Sequence, residues 1–315
     1  MDVSKAEDIW RHSYAHPGVW EQAFPPLAMT DLFIASTEAH PAAPLVDFYG
    51  RTYSYATMLA QARAFAAGLQ EMGIGRGDRV GLFLPNVPIY IPACFGAMLA
   101  GATVVNFSPL YIAAELEAQV QDSGTRLMVT LDVPALLPTA LSVLRDSSLE
   151  RLVVGRLPDM LPRLMGLGMR LFKRGDLTPV PKAANIVEWR DMLSRNNPQP
   201  VNIDPERDLA LIQYTGGTTG RPKGAMLTHQ NLSANARQIQ LVDPRQNDRD
   251  VIVGVLPFFH VFANACVLNR TIQNGGCIAM LPRFDAAQCL KTIERVKATA
   301  MPGVPTMYQA LLDHP

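Results

Sequence analysis

The sequence predicts an α/β protein of two αβ-layered lobes with mostly parallel sheets. Three observations carry this. Short apolar runs alternate with helical patterns along most of the chain. The runs are apolar throughout, as in strands buried on both faces. A stretch rich in proline and asparagine, ending in Arg195-Asn-Asn-Pro-Gln-Pro200, interrupts the rhythm once.

Taken in order, residues 1–47 read as a polar, proline-containing lead-in. Ser54 is placed to cap a helix that runs to about Met72 and stops at Gly73. Arg79 to Leu84 reads as a strand broken by Pro85-Asn86, Pro88 to Ala100 as a buried helix, and Thr103 to Asn106 as a second strand. An amphipathic helix over Ala113 to Asp122 leads to a strand over Arg126 to Thr130, and 134–145 and 151–154 repeat the pair. The segment 155–203 is irregular and closes a first lobe of residues 48–204. A second lobe, 205–315, resumes with strands at Leu209 to Tyr214 and Ala225 to Leu227 and a helix capped by Thr228. Further strands are expected at 250–256, 277–281 and 298–301, and helices at His260 to Gln273 and 304–312. Asp285 with Gln288 fits a capping box before another helix.

With 315 residues, 48% hydrophobic, the chain can bury a large core. Its 28 basic and 28 acidic residues cancel, so the basic excess usual in nucleic-acid binders is missing. No apolar run approaches the length of a bilayer span, and the start, Met1-Asp-Val-Ser-Lys-Ala-Glu-Asp, has no apolar signal core. Both observations point to the cytosol. Cys94, Cys266, Cys277 and Cys289 form no C-x-x-C pair and sit among apolar residues, which reads as buried free thiols in a reducing compartment, with no metal site.

The densest chemistry lies at Tyr214-Thr-Gly-Gly-Thr-Thr-Gly-Arg-Pro-Lys-Gly224. Gly216, Gly217 and Gly220 let backbone N–H groups approach anionic oxygens; Thr215, Thr218 and Thr219 add hydroxyls; Lys223 adds a mobile positive charge. Apolar runs on both sides make it a loop held by two strands, not a flexible linker. It is not a Walker A loop, because Lys223 precedes Gly224 and no Ser or Thr follows the lysine. A second suggestive stretch is 161–174, whose Arg163, Arg170, Lys173 and Arg174 have no acid among them. As a helix it sets Leu161, Leu164, Met165 and Phe172 opposite Arg163, Arg170 and Arg174. That pattern fits a helix lying in a membrane interface, which would make the protein peripheral on the inner face of the membrane. It equally fits a surface helix packed on its own protein. Gly166 and Gly168 weaken the helix by about 1 kcal/mol each.

Residues 214–229, Tyr-Thr-Gly-Gly-Thr-Thr-Gly-Arg-Pro-Lys-Gly-Ala-Met-Leu-Thr-His, resemble the signature loop of the AMP-forming adenylating enzymes. Asn106-Phe-Ser-Pro-Leu-Tyr111 with Glu115-Leu116, Leu256-Pro-Phe-Phe-His-Val-Phe262 and Pro302-Gly-Val-Pro-Thr306 resemble segments of the long-chain fatty acyl-CoA synthetase branch. The resemblance runs from about Phe48 to the last residue. It implies the N-terminal part of an enzyme that converts a fatty acid, ATP and CoA to acyl-CoA, AMP and pyrophosphate through acyl-AMP. It further implies that Thr215, Gly216, Gly217, Thr218, Thr219, Gly220 and Lys223 bind the ATP phosphates, with Lys223 the candidate stabiliser of the leaving group. His260, Gly303 and Val304 would line the acyl pocket, His260 as a positioning group and not a base, since a carboxylate already carries its nucleophilic charge. Without the resemblance, His260 reads as a hydrogen-bonded histidine at a helix start, and Gly303 as a strand-to-helix turn.

The family's "YGxTE" and "TGD" segments, which carry its Mg2+ and ribose ligands, do not appear, nor do its hinge and C-terminal lobe. The expectation is therefore an incomplete N-terminal domain, inactive alone, with exposed apolar surface and self-association. Two alternatives stay open: a ligase of the same superfamily for a medium-chain, aryl or carrier-protein substrate, and a non-catalytic nucleotide- or acyl-binding module.

Overall fold

The computed structural model describes residues 21–194, 196–215, 222–243 and 249–314. Eleven strands among these residues form two sheets, ordered β10-β11-β1-β2 and β7-β6-β5-β3-β4-β8-β9. In the larger sheet β3 is Arg79–Leu82, β4 Thr103–Asn106, β5 Leu127–Leu131, β6 Arg151–Gly155, β7 Ile186–Glu188, β8 Leu209–Thr215 and β9 Lys223–Thr228. The smaller has β1 Pro44–Phe48, β2 Arg51–Ser54, β10 Val251–Gly254 and β11 Cys277–Met280. All pairings are parallel except β1 with β2 and β8 with β9. The inner parallel strands of the larger sheet are largely buried, β4 and β5 at every residue, while the edge strand β7 is only partly buried.

The local signals for helices act where expected. The Ser54 side chain accepts from Thr57 N at the head of helix Tyr55–Glu71, and Thr228 accepts from Asn231 N at the head of helix His229–Val242. Helix Tyr90–Leu99 is buried from Tyr90 to Met98, and Gly96 lets it approach the Ala62 carbonyl and Phe65 of helix Tyr55–Glu71. Asp285 caps helix Ala286–Val296 by accepting from Gln288 N, but Gln288 Nε2 points forward to Thr292 Oγ1 instead of closing the box.

Five expectations change. The lead-in 1–47 contains, within its described part, helix Met29–Ala39 and most of β1, which pairs in parallel with β11 (Val46 opposite Ile278). The sheets do not follow a division at 204/205: β8 and β9 extend the sheet of the first half, while β1 and β2 join β10 and β11. Segment 155–203 is not wholly irregular, since it holds helix Arg163–Phe172 and β7. The helix expected over 260–273 is divided into Val261–Ala263, a π turn over Asn264–Asn269, and Arg270–Asn274. A bond from Asn269 Nδ2 to Asn264 Oδ1 at 2.9 Å spans the wide turn. Residues 298–301 make only a bridge, Ile252 with Ala300.

One continuous core joins both sheets, from Phe48, Ile252 and Met280 on one side to Val80, Val104 and Leu127 on the other. Asn86, after β3, ties them by polar bonds. Its Nδ2 donates to the carbonyls of Gly254 (3.0 Å) and Leu256 (2.8 Å), and its Oδ1 accepts from Phe258 N (2.8 Å). The segment leaving β10 is thereby fixed against the larger sheet.

Candidate active site

The glycine- and threonine-rich segment joins β8 to β9, which pair as an antiparallel hairpin. Thr215 stands opposite Lys223 in the ladder, and Thr215 Oγ1 donates to the Lys223 carbonyl at 3.4 Å. Both residues are exposed at the carboxyl end of β8. Gly216, Gly217, Thr218, Thr219, Gly220 and Arg221 lie outside the described residues. Gly224 is needed on packing grounds, because a Cβ there would sit 2.9 Å from Ile212 Cγ2. Tyr214 anchors the base of the hairpin: its hydroxyl donates to Asp122 Oδ2 (2.5 Å) and to the Gln119 carbonyl (3.3 Å). Burial, with the hydrogen bond to Asp122 next, pushes its phenol pKa up.

Beside the hairpin lies a buried amide relay that sequence reading missed. Tyr90 OH donates to Asn106 Oδ1 (2.7 Å), Asn106 Nδ2 to Gln213 Oε1 (3.1 Å), and Gln213 Nε2 to the Phe259 carbonyl (2.6 Å). The available signal was a polar residue at the end of an apolar run, Val104-Val105-Asn106 and Leu211-Ile212-Gln213. Such residues inside a two-sided parallel sheet must find partners.

Phe259 forms part of the wall of an apolar cavity of about 780 Å3. The cavity gathers the loops after β3, β4 and β5 (Val87, Leu110, Val133) and those after β10 and β11 (Phe259, Arg283), together with Met307. Ligands in open α/β sheets bind at this end of the strands. A second cavity of about 610 Å3 adjoins it and shares Leu157, Met169, Asp176, Pro282 and Arg283.

Of the three residues expected around an acyl group, none lines these cavities, though neighbours of each do: Phe259 beside His260, and Met307 near Gly303 and Val304. His260 is exposed and caps the short helix Val261–Ala263, its Nδ1 accepting from Phe262 N at 3.4 Å. Gly303 packs on Tyr308, where a Cβ would stand 3.0 Å from the ring, and the Tyr308 hydroxyl donates to the Met301 carbonyl at 2.8 Å. Val304 is half exposed and precedes helix Pro305–Leu312. Burial pushes the Cys94 and Cys277 thiols up to about 12, which removes them as nucleophiles at neutral pH. Among the described residues no group of three His, Cys, Asp or Glu side chains is arranged to hold a metal ion.

A profile of the AMP-binding enzyme family matches residues 33–315. The chain belongs to that family. Within it, the chain is 34% identical over 317 residues to a long-chain-fatty-acid–CoA ligase of Bacillus subtilis (strain 168), covering 99% of this chain and 56% of that protein. A ligase of the same description from Haemophilus influenzae is 34% identical over 302 residues, covering 91% and 52%. A crystal structure of a long-chain-fatty-acid-CoA ligase from Archaeoglobus fulgidus superposes with a TM-score of 0.77 at 25% identity, covering 95% of this chain and 55% of that one. The chain thus spans about half the length of the relatives it matches.

Proposed function

We propose that this AMP-binding family chain is the N-terminal part of a long-chain fatty acid–CoA ligase. In the first step a carboxylate oxygen attacks the α-phosphorus of ATP, the bond to the bridging oxygen breaks, and pyrophosphate leaves with acyl-AMP remaining. In the second the sulfur of CoA attacks the acyl carbon and AMP leaves. The observation that carries the reading is the Gln213–Phe259 bond, which ties the base of the phosphate-loop hairpin to the wall of the large apolar cavity. This supports adjacent places for the phosphates and the acyl chain at the carboxyl ends of the two sheets.

Each residue has a physical role in this scheme. Thr215, Gly216, Gly217, Thr218, Thr219 and Gly220 offer hydroxyl and backbone donors to the phosphates, and Lys223 meets the charge that grows on the departing pyrophosphate. His260 helps position the carboxylate end of the substrate, with Gly303 and Val304 near the acyl path. The apolar lining of Val87, Leu110, Val133 and Met307 favours an alkyl chain, and the cavity volume of about 780 Å3 lies in the range of about 300–1,000 Å3 usual for small-molecule sites.

The family's ribose-binding segment is not found among these 315 residues. The 315-residue chain is therefore proposed to bind ATP and fatty acid without efficient turnover. Calorimetry with ATP and with palmitate, run beside palmitate-dependent ATP–pyrophosphate exchange, tests this. Binding of both with near-background exchange is expected. Failure to bind either ligand overturns the reading, and robust exchange overturns the statement about turnover.

A further inference from the structure

The last rung of the β8–β9 ladder, Thr215 opposite Lys223, is held weakly. Among the described residues β9 is an edge strand that pairs only with β8, and the side-chain bond across this rung is 3.4 Å long. The rung behind it, Tyr214 opposite Gly224, is held from outside the sheet. The Tyr214 ring lies against Gly224, where a Cβ would stand 3.5 Å from Cζ and 3.6 Å from Cε1. The far end of the ring is tied to helix Ala113–Ser123: the hydroxyl donates to Asp122 Oδ2 at 2.5 Å, with the Gln119 carbonyl beside it at 3.3 Å. Asp122 and Gln119 are three residues apart, so they are neighbours on one helix face. The helix itself is fixed. Glu115 Oε2 accepts from Ile112 N at its head, Ser123 Oγ donates to the Gln119 carbonyl at 2.6 Å, and Leu116, Gln119, Val120 and Ser123 are buried.

Asp122 is exposed, so water can satisfy its carboxylate and packing alone does not demand this bond. The buried Tyr214 hydroxyl does need a partner, but the Gln119 carbonyl could serve. What Asp122 adds is direction and strength, since a bond to an ionised acceptor is shorter and roughly twice as strong as a neutral one. Tyr214 precedes Thr215 and Gly224 follows Lys223, so pinning their rung sets the direction in which both loop ends leave the sheet. We propose that Asp122 is a positioning residue for Lys223: it holds the Tyr214 ring against Gly224 and thereby fixes the end of the ladder from which Lys223 and Thr215 reach the phosphates. This rests on the phosphate-binding role proposed for Lys223. Asp122 acts as a hydrogen-bond acceptor and not through its charge, because a negative charge near the loop would itself oppose a bound phosphate. Asparagine should therefore replace it and alanine should not.

The test is calorimetric titration of the 315-residue chain with ATP and, separately, with palmitate. Wild type is compared with Asp122→Ala, Asp122→Asn, Tyr214→Phe and the double variant Asp122→Ala/Tyr214→Phe. The Kd for ATP should rise about fivefold or more in Asp122→Ala and in Tyr214→Phe, and no further in the double variant, because the two residues act through one bond. Asp122→Asn should stay within about twofold of the wild type. The Kd for palmitate should stay the same in every variant, a split that general destabilisation would not produce. Hydrogen exchange across Lys223–Thr228, measured without ligand, should quicken in Asp122→Ala and Tyr214→Phe and not in Asp122→Asn. Wild-type ATP affinity in Asp122→Ala overturns the inference and leaves the phosphate-loop reading standing. Parallel loss of ATP and palmitate binding with a lowered thermal midpoint also overturns it, by making Asp122 a stabilising residue only. Asp122→Asn as weak as Asp122→Ala contradicts the acceptor role. A wild type that binds no ATP overturns the phosphate-loop reading and the inference together.

Discussion

The side-chain amide of Gln213 donates to the main-chain carbonyl of Phe259 at 2.6 Å, joining β8 to the segment that leaves β10. Gln213 is 5% exposed and also accepts from Asn106. Gln213→Leu removes one donor and one acceptor from a buried site and should destabilise the protein by about 1–3 kcal/mol. Urea unfolding measures that loss. Palmitate affinity should fall with it, because Phe259 loses its anchor; unchanged palmitate affinity would show that the bond does not set the cavity wall.

His229, at the head of the helix after β9, is 2% exposed, and its Nδ1 has no partner among the described residues. Burial lowers its pKa to about 4 from 6.5, against a smaller opposing effect of Asp208. The folded state therefore resists a proton that the unfolded chain accepts. This contribution is intact above pH 6.5 and is lost as pH falls from 6.5 toward 4. Between pH 7.5 and pH 5 it amounts to about 2 kcal/mol. Unfolding free energies of wild type and His229→Gln at the two pH values should differ in their pH dependence by about that amount, with the variant the flatter.

Two glycines in helices should respond to alanine with opposite sign. At Gly168 a Cβ meets nothing within 4 Å, so Gly168→Ala should stabilise by about 0.5–1 kcal/mol. At Gly68 a Cβ would collide with the Met192 carbonyl, held close by the Phe65–Trp189 ring contact at 4.7 Å. Gly68→Ala should destabilise by about 1–3 kcal/mol despite the better helix propensity. Thermal melts of the two variants decide it.

Cavity volume should set the acyl length. Val133 follows β5 and lines the large cavity. Val133→Phe fills part of that space and should weaken palmitate binding several-fold more than octanoate binding. Calorimetric Kd values for the two acids give the comparison; an equal effect on both would place the chain elsewhere.

What could be read from the sequence divides along a physical line. Caps at Ser54, Thr228 and Asp285 act within three residues of themselves, so they are legible locally. Buried parallel strands such as Val104-Val105 announce themselves by being apolar on both faces. The pairing of β1 with β11 depends on partners more than two hundred residues apart, and nothing in the stretch around Val46 encodes it. The placement of β8 beside β4 is of the same kind and undid a lobe boundary drawn from composition. At the candidate site the apolar runs on either side of the glycine- and threonine-rich stretch marked β8 and β9. The relay of Tyr90, Asn106 and Gln213 was hidden because each residue gains its meaning only from a neighbour on another strand or helix.

The central claim is that the hairpin closed by Thr215 and Lys223 holds the ATP phosphates. Calorimetric titration of ATP into wild type and Lys223→Ala tests it most directly, since Lys223 is exposed and its loss does not disturb the core. The account predicts saturable ATP binding by the wild type and a Kd raised about tenfold or more in the variant, as expected for loss of a charge-assisted phosphate contact. Equal Kd values for the two proteins would contradict it.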